Sequence, residues 1–100
     1  MVKWSDSASR NLKELHDYIA QDSVYYAKDV VSEIVEQSEV LGKFSQMGRI
    51  VPEINDSSIR EIFVYSYRLI YRIKEEEIEI IALVHAKMNF LKNRKAEEIE

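Results

Sequence analysis

The sequence predicts an α+β fold: a small antiparallel β-sheet with an N-terminal two-helix hairpin packed on one face, in the order β-α-α-β-β-β. Three observations predict it. Apolar residues recur at helical spacing through the first forty positions. A long connection at 42–58 then carries both glycines and the only proline. After it, from Ile59 to His85, side chains alternate with a period of two. A switch from the 3.6-residue to the 2-residue period marks a change from helix to strand.

Residues 1–4 are apolar-leaning and read as a short first strand. Ser5 or Asp6 follows, and either can cap a helix by accepting an orphan amide of its first turn. Ala8, Leu12, Leu15 and Ile19 form the stripe of that helix. Asp22-Ser23 offers a second cap. Ala27, Val30, Val31, Ile34, Ser38 and Leu41 form the stripe of a second helix, and Gly42 stands where a left-handed residue commonly ends one. About three linking residues make the two helices antiparallel neighbours.

Within 42–58, Pro52 disfavours helix at Val51, and Asn55-Asp56-Ser57-Ser58 is a turn signal. Connections this long tend to be functional or mobile. Three strands follow. In the middle one, Leu69, Tyr71 and Ile73 alternate with Arg68, Ile70 and Arg72. In the last, Ile78, Ile80, Ala82 and Val84 oppose Ile81, Leu83 and His85. Both sets are apolar, so the last strand is predicted to be central. Lys74 to Glu77 lacks the residues of a two-residue hairpin, which predicts a longer turn. Strict alternation leaves Arg68, Ile70, Arg72, Ile81, Leu83 and His85 on the face away from the helices. Residues 88–100 hold helix formers without a strong cap and read as a short helix fraying towards Glu100.

One hundred residues make one domain, 1–100, able to bury roughly 60–70% of its unfolded surface. Ten aromatics and a 46% hydrophobic fraction exclude a disordered chain. The absence of cysteine removes disulfide frameworks and thiolate metal sites, and fits a cytoplasmic protein. No apolar run reaches signal-peptide or membrane-spanning length. His16 has no second ligand at metal spacing, so no metal or cofactor is expected. The net charge of −4 is unevenly spread: residues 1–41 and 75–100 are acidic, whereas residues 42–74 carry six basic side chains against three acidic ones.

An ordered set of motifs spans residues 4 to 85: Trp4-Ser5 and Ala8 opening a helix, Tyr18-Ile19 near its end, Gly48-Arg49, Val51-Pro52-Glu53, Arg60-Glu61, Tyr67-Arg68, Tyr71-Arg72 and His85. The set resembles the RelE/ParE superfamily of bacterial toxins, closer to its ParE-like members. The resemblance implies a toxin of a type II toxin–antitoxin module, associated with growth inhibition and plasmid stabilisation, and neutralised by a cognate antitoxin protein in a hetero-oligomer. Two activities occur in the superfamily. ParE-like members bind DNA gyrase and block it. RelE-like members, YoeB among them, cut messenger RNA on the ribosome. A third reading is an antitoxin-binding homologue without toxicity.

Metal-free RNA cleavage needs a base, an acid, a cation against the phosphorane and basic contacts to the backbone. The resemblance to the ribonuclease branch places Glu53, Arg68 and His85 in the first three roles. Two features depart from that branch: no tyrosine follows Tyr71, and the sequence pI is near 5.2. At the end typical of ParE-like chains, Ala86 and Met88 stand where Gly and Arg are usual. Arg49, Arg60, Ile70, Arg72, Ile81, Leu83 and Lys87 are the candidate contacts to a target or an antitoxin. Arg68 has a plainer role open to it, a cross-strand pair with Glu61.

Overall fold

A computed structural model describes residues 1–87. The elements run β1 (Val2–Trp4), α1 (Asp6–Ala20), α2 (Val24–Val40), β2 (Arg49–Ile50), β3 (Ile59–Val64), β4 (Tyr67–Ile73) and β5 (Ile78–His85). The helix expected within 88–100 lies outside the described residues. Among those described, no helix is long and apolar enough to cross a membrane.

Both predicted caps form. Ser5 Oγ accepts from the Ala8 amide and Ser23 Oγ from the Tyr26 amide, each at 3.0 Å. Each removes one orphan donor of a first turn. Gly42 differs from expectation, because no described glycine takes a positive φ. Helix α2 instead winds down through short-range bonds, Leu41 and Gly42 donating to the carbonyls of Ser38 and Glu39. Glycine suits that site for space: a Cβ there would lie 3.1 Å from Val2 Cγ2.

The sheet has five strands in the order β1-β5-β4-β3-β2. Strands β2, β3, β4 and β5 pair antiparallel in succession, and β5 lies inside the sheet and not at an edge, as expected. The sheet is mixed, because β1 pairs in parallel with β5, Val2 against Ile78. The connection out of β1 runs through both helices, and a crossover of that length permits parallel pairing. The turn between β4 and β5 uses residues 74–77, closed by the Lys74 amide on the Glu77 carbonyl. The turn between β3 and β4 is far tighter. Val64 pairs with Tyr67, leaving Tyr65 and Ser66 as the whole loop.

Helices α1 and α2 cover one face of the sheet. Ala8, Leu15, Val30, Ile34 and Leu41 meet Val64, Leu69, Tyr71, Ile78, Ile80 and Leu83 there. The second face has its own apolar cluster, in which Ile59, Ile70, Ile81, Ala82 and Val84 pack with Val51 and Ile54 of the long connection.

Leu83 and His85 fall on the helix face, not on the face of Arg68. The cause is a bulge. Ile70 pairs with Ala82 and Tyr71 with Ile80, so Ile81 is an extra residue in β5. One inserted residue reverses the alternation beyond it. Ile81 and Ala82 therefore share a face, and Leu83 and His85 move to the other. The Leu83 amide then points past the end of β1 and donates to Asn11 Oδ1 of α1 at 3.2 Å.

Candidate functional site

The charged residues of the second face gather around Glu61. This carboxylate sits on β3 opposite Ile70, with its side chain fully buried. It accepts from Arg68 Nε and from Arg49 Nε, both at 2.6 Å. Arg68, one register step away on β4, turns its two remaining nitrogens to Glu53. The pair is bidentate, at 2.7 and 2.8 Å. Two arginines and two glutamates thus form one chain of ion pairs with no net charge: Glu53–Arg68–Glu61–Arg49.

The Arg68 side chain is only 5% exposed. Its guanidinium pKa lies above the ordinary arginine value, mainly through the Glu53 hydrogen bonds and then through Glu61, against the opposing effect of burial. The sequence placed Arg68 on an open face, and the structure corrects this. Glu53 and the connection that carries it lie over Arg68, whose planar fork is filled by two carboxylates. Ile70 and Ile81 are likewise buried beneath Val51 and Ile54, and Leu83 is buried under the helices, so the three form no exposed apolar strip.

The connection from 42 to 58 is held at several points. Tyr71 reaches it from β4, donating to the Ser45 carbonyl at 2.7 Å and accepting from the Gly48 amide at 3.0 Å. Arg60 donates to the Gly48 and Ser57 carbonyls. Asp56 accepts from the Ser58 amide and hydroxyl, and those bonds hold its carboxyl below the usual range, with Arg72 contributing attraction. Gly48 is required by closeness: a Cβ there would lie 2.5 Å from the Glu61 carbonyl oxygen and 2.6 Å from the Tyr71 hydroxyl.

His85 stands at the far end of β5 on the helix side. Its ring meets Tyr67 edge-on, with centroids 5.8 Å apart, and Nδ1 accepts from the Lys87 amide. Lys87 itself is exposed. Of the three residues matched to RNA cleavage, the structure brings Glu53 and Arg68 together and puts His85 on the opposite face. Arg49 joins the ion-pair chain and lies over the Phe63 ring, 5.1 Å from its centroid. Arg60 and Arg72 sit on opposite faces, following the alternation of β3 and β4. Among the described residues, no cluster of His, Asp and Glu could hold a metal ion.

The sequence does not announce the tight hairpin tip between β3 and β4. Phe63 and Tyr65 are exposed there, and Tyr65 takes a φ of +54°. Tight two-residue turns favour such angles and usually place Gly or Asn in them. The sequence Val-Tyr-Ser-Tyr carries no such signal.

A family model described as the ParE toxin of the type II toxin–antitoxin system parDE matches residues 2–90. The fold is similar to that of a chain from the chromosomal ParDE TA system of P. aeruginosa. The two share 24% identity over 86% of this chain and 95% of that one, with a TM-score of 0.72. A chain from the YoeB–YefM complex of Staphylococcus aureus is also similar in fold, at 14% identity over 85% of this chain and 94% of that one, with a TM-score of 0.53. No curated protein matches at a significant level.

Proposed function

This chain belongs to the ParE toxin family of type II toxin–antitoxin systems, and from that premise we propose that it arrests growth by binding DNA gyrase in the cytoplasm and is neutralised by a cognate antitoxin. The alternative, ribosome-dependent cleavage of messenger RNA, asks more of the site. Such cleavage needs a cation free to meet a phosphate and an acid within reach of the leaving oxygen. The observation that carries our reading is the placement of Arg68 and His85. Arg68 is locked between Glu53 and Glu61, and His85 lies across the sheet from it. That arrangement supports a protein that acts by occupying a surface of its target. The toxin–antitoxin context of the similar ParDE and YoeB–YefM chains supports the antitoxin as partner.

The test is a supercoiling assay with purified gyrase. We expect inhibition that rises with toxin and disappears when the toxin is first mixed with the product of the adjacent small reading frame. Undiminished supercoiling, together with new message ends in primer extension on translated RNA, would refute the gyrase reading in favour of the ribonuclease.

A further inference from the structure

The ion-pair chain of the second face has one closed end and one open end. Glu53 closes the first, giving both oxygens to Arg68. Arg49 stands at the other. Its Nε donates to Glu61, and among the described residues its Nη1 and Nη2 make no hydrogen bond. The Arg49 side chain is 57% exposed, whereas the carboxylate that holds it is fully buried. Glu61 is shared, one oxygen bonded to Arg68 and the other to Arg49, so a single negative charge is divided between two guanidiniums. The alternation Glu53–Arg68–Glu61–Arg49 therefore stops on a cation that reaches solvent.

Register adds a ring to that cation. Arg49 lies opposite Glu61, and Phe63 follows Glu61 by two residues, so all three share the second face. The guanidinium carbon sits 5.1 Å from the centroid of the Phe63 ring, which is itself exposed. The Nε bond and the ring fix the guanidinium from two directions. A surface arginine ordinarily loses rotamer freedom when a partner orders it; here folding has already ordered it.

From these we infer that Arg49 and Phe63 form a preorganised anchor for a carboxylate side chain of a protein partner, and that the partner is the gyrase surface of the reading above. Because Nε is taken, the carboxylate docks end-on, one oxygen on Nη1 and one on Nη2. It extends the alternation by one more anion. An apolar side chain beside it covers the exposed part of the Phe63 ring, next to exposed Tyr65. Arginine and aromatic side chains together carry much of the binding energy at the centres of protein interfaces. Two side chains fixed on neighbouring strands suit a preformed target surface. A phosphate would also fit the fork, but the chain's net charge of −4 opposes a nucleic acid, and the ring beside the fork favours a protein.

This inference rests on the gyrase reading for the partner's identity, and a small probe tests the site by itself. In NMR titration of the full chain, phenylacetate is expected to shift the Arg49 Nε–H and Phe63 amide signals saturably, and neutral phenylacetamide to leave them in place. Equal shifts with both, or shifts confined to other residues, overturn the site. So does a DNA duplex that moves the same signals at lower concentration than phenylacetate, which would make the ligand a phosphate. On immobilised gyrase, Phe63→Ala keeps the Arg49–Glu61 pair and should weaken binding about thirtyfold, the scale of a central interface residue. Arg49→Lys keeps the charge, loses the fork and should weaken binding as much, with circular dichroism confirming both folds. Arg10→Gln, exposed on α1, should stay within about twofold of the parent. Weakening by only one of the two site variants overturns the anchor. Parent-like gyrase binding by both sinks the inference and leaves the gyrase reading standing. Unchanged gyrase binding with weaker binding to the small reading frame's product moves the anchor to the antitoxin and overturns the inference as well. A parent that does not bind gyrase sinks that reading and the partner assignment together, and the phenylacetate result then decides the carboxylate site alone.

Discussion

Replacing Arg68 by alanine should come close to unfolding the protein. The side chain is 5% exposed and makes three hydrogen bonds to two carboxylates. Its removal leaves Glu61, fully buried, paired with Arg49 alone among the described residues, and takes from Glu53 its bidentate partner. Breaking a buried ion pair from one side costs about 3–5 kcal/mol, because the remaining charge stays desolvated. For a chain of this size that lowers the melting temperature by on the order of 10–40 °C. A domain with about 5–15 kcal/mol in total would lose a large share of its stability. The double variant Arg68→Met/Glu61→Leu separates the causes. It removes the fully buried charge of Glu61, leaves the partly exposed Glu53 in place, and fills the volume with apolar atoms, a change that is often neutral for buried ionic groups. Urea unfolding of both variants and the parent gives the comparison. We expect the double variant to recover most of the single variant's loss. A loss below about 0.5 kcal/mol for Arg68→Ala, the scale of an ordinary surface change, would refute the buried network.

Other perturbations address the elements around that network. Gly48→Ala puts a methyl group against the Glu61 carbonyl and the Tyr71 hydroxyl, so β2 should detach and stability should fall by about 1–3 kcal/mol, measured by thermal unfolding. Tyr71→Phe leaves the Gly48 amide and the Ser45 carbonyl unpaired, at a cost of about 1–3 kcal/mol in urea titration. It also changes the alkaline limb. Burial raises the Tyr71 pKa above its unfolded value near 10, so its contribution is whole below about pH 10 and is lost as pH rises through the folded value. The phenylalanine variant should therefore lose stability less steeply above pH 10, with Tyr67, raised by its own burial, keeping part of the slope. Tyr65→Gly should stabilise the hairpin by roughly 0.5–1 kcal/mol, since it relieves a left-handed backbone worth about 1–2 kcal/mol and pays about 0.5–1 kcal/mol for glycine's extra freedom. Lower stability for that variant would mean that the Tyr65 ring holds the turn by packing.

The helical half of the fold is readable because its signals are local. Ser5 and Ser23 are caps followed at once by apolar stripes, and Ala27, Val30, Ile34, Ser38 and Leu41 are all buried. The strands are readable as strands, but their phase is not. Ile80-Ile81-Ala82-Leu83-Val84 is apolar at every position, so alternation fits it in either phase and the bulge at Ile81 leaves no mark in the composition. The error at Leu83 and His85 follows from that. Arg68 is a different case. Its partners come 7 and 15 positions earlier, and only the register of the hairpin brings them together. That register is set by the Tyr65-Ser66 turn, which lacks the residues that announce so tight a loop. Glu53 and Glu61 are both legible as charged residues, yet an arginine alternating with apolar residues in a strand reads as surface until the backbone shows what lies over it.

The pairing of β1 with β5 has a bearing on how the chain folds. Val2 stands against Ile78, so the first strand finds its neighbour across three quarters of the sequence. The two helices can form and meet early, from contacts close in sequence. The sheet cannot close at that edge until β5 has been synthesised, and such non-local pairing sets folding times nearer milliseconds to seconds than microseconds. A nascent chain that stops within β4 carries β1 as an unpaired apolar strand beside a finished helical hairpin, a species prone to association. The last strand made is therefore the one that commits the whole sheet, and a truncation that removes it disables the N-terminus as surely as the C-terminal end.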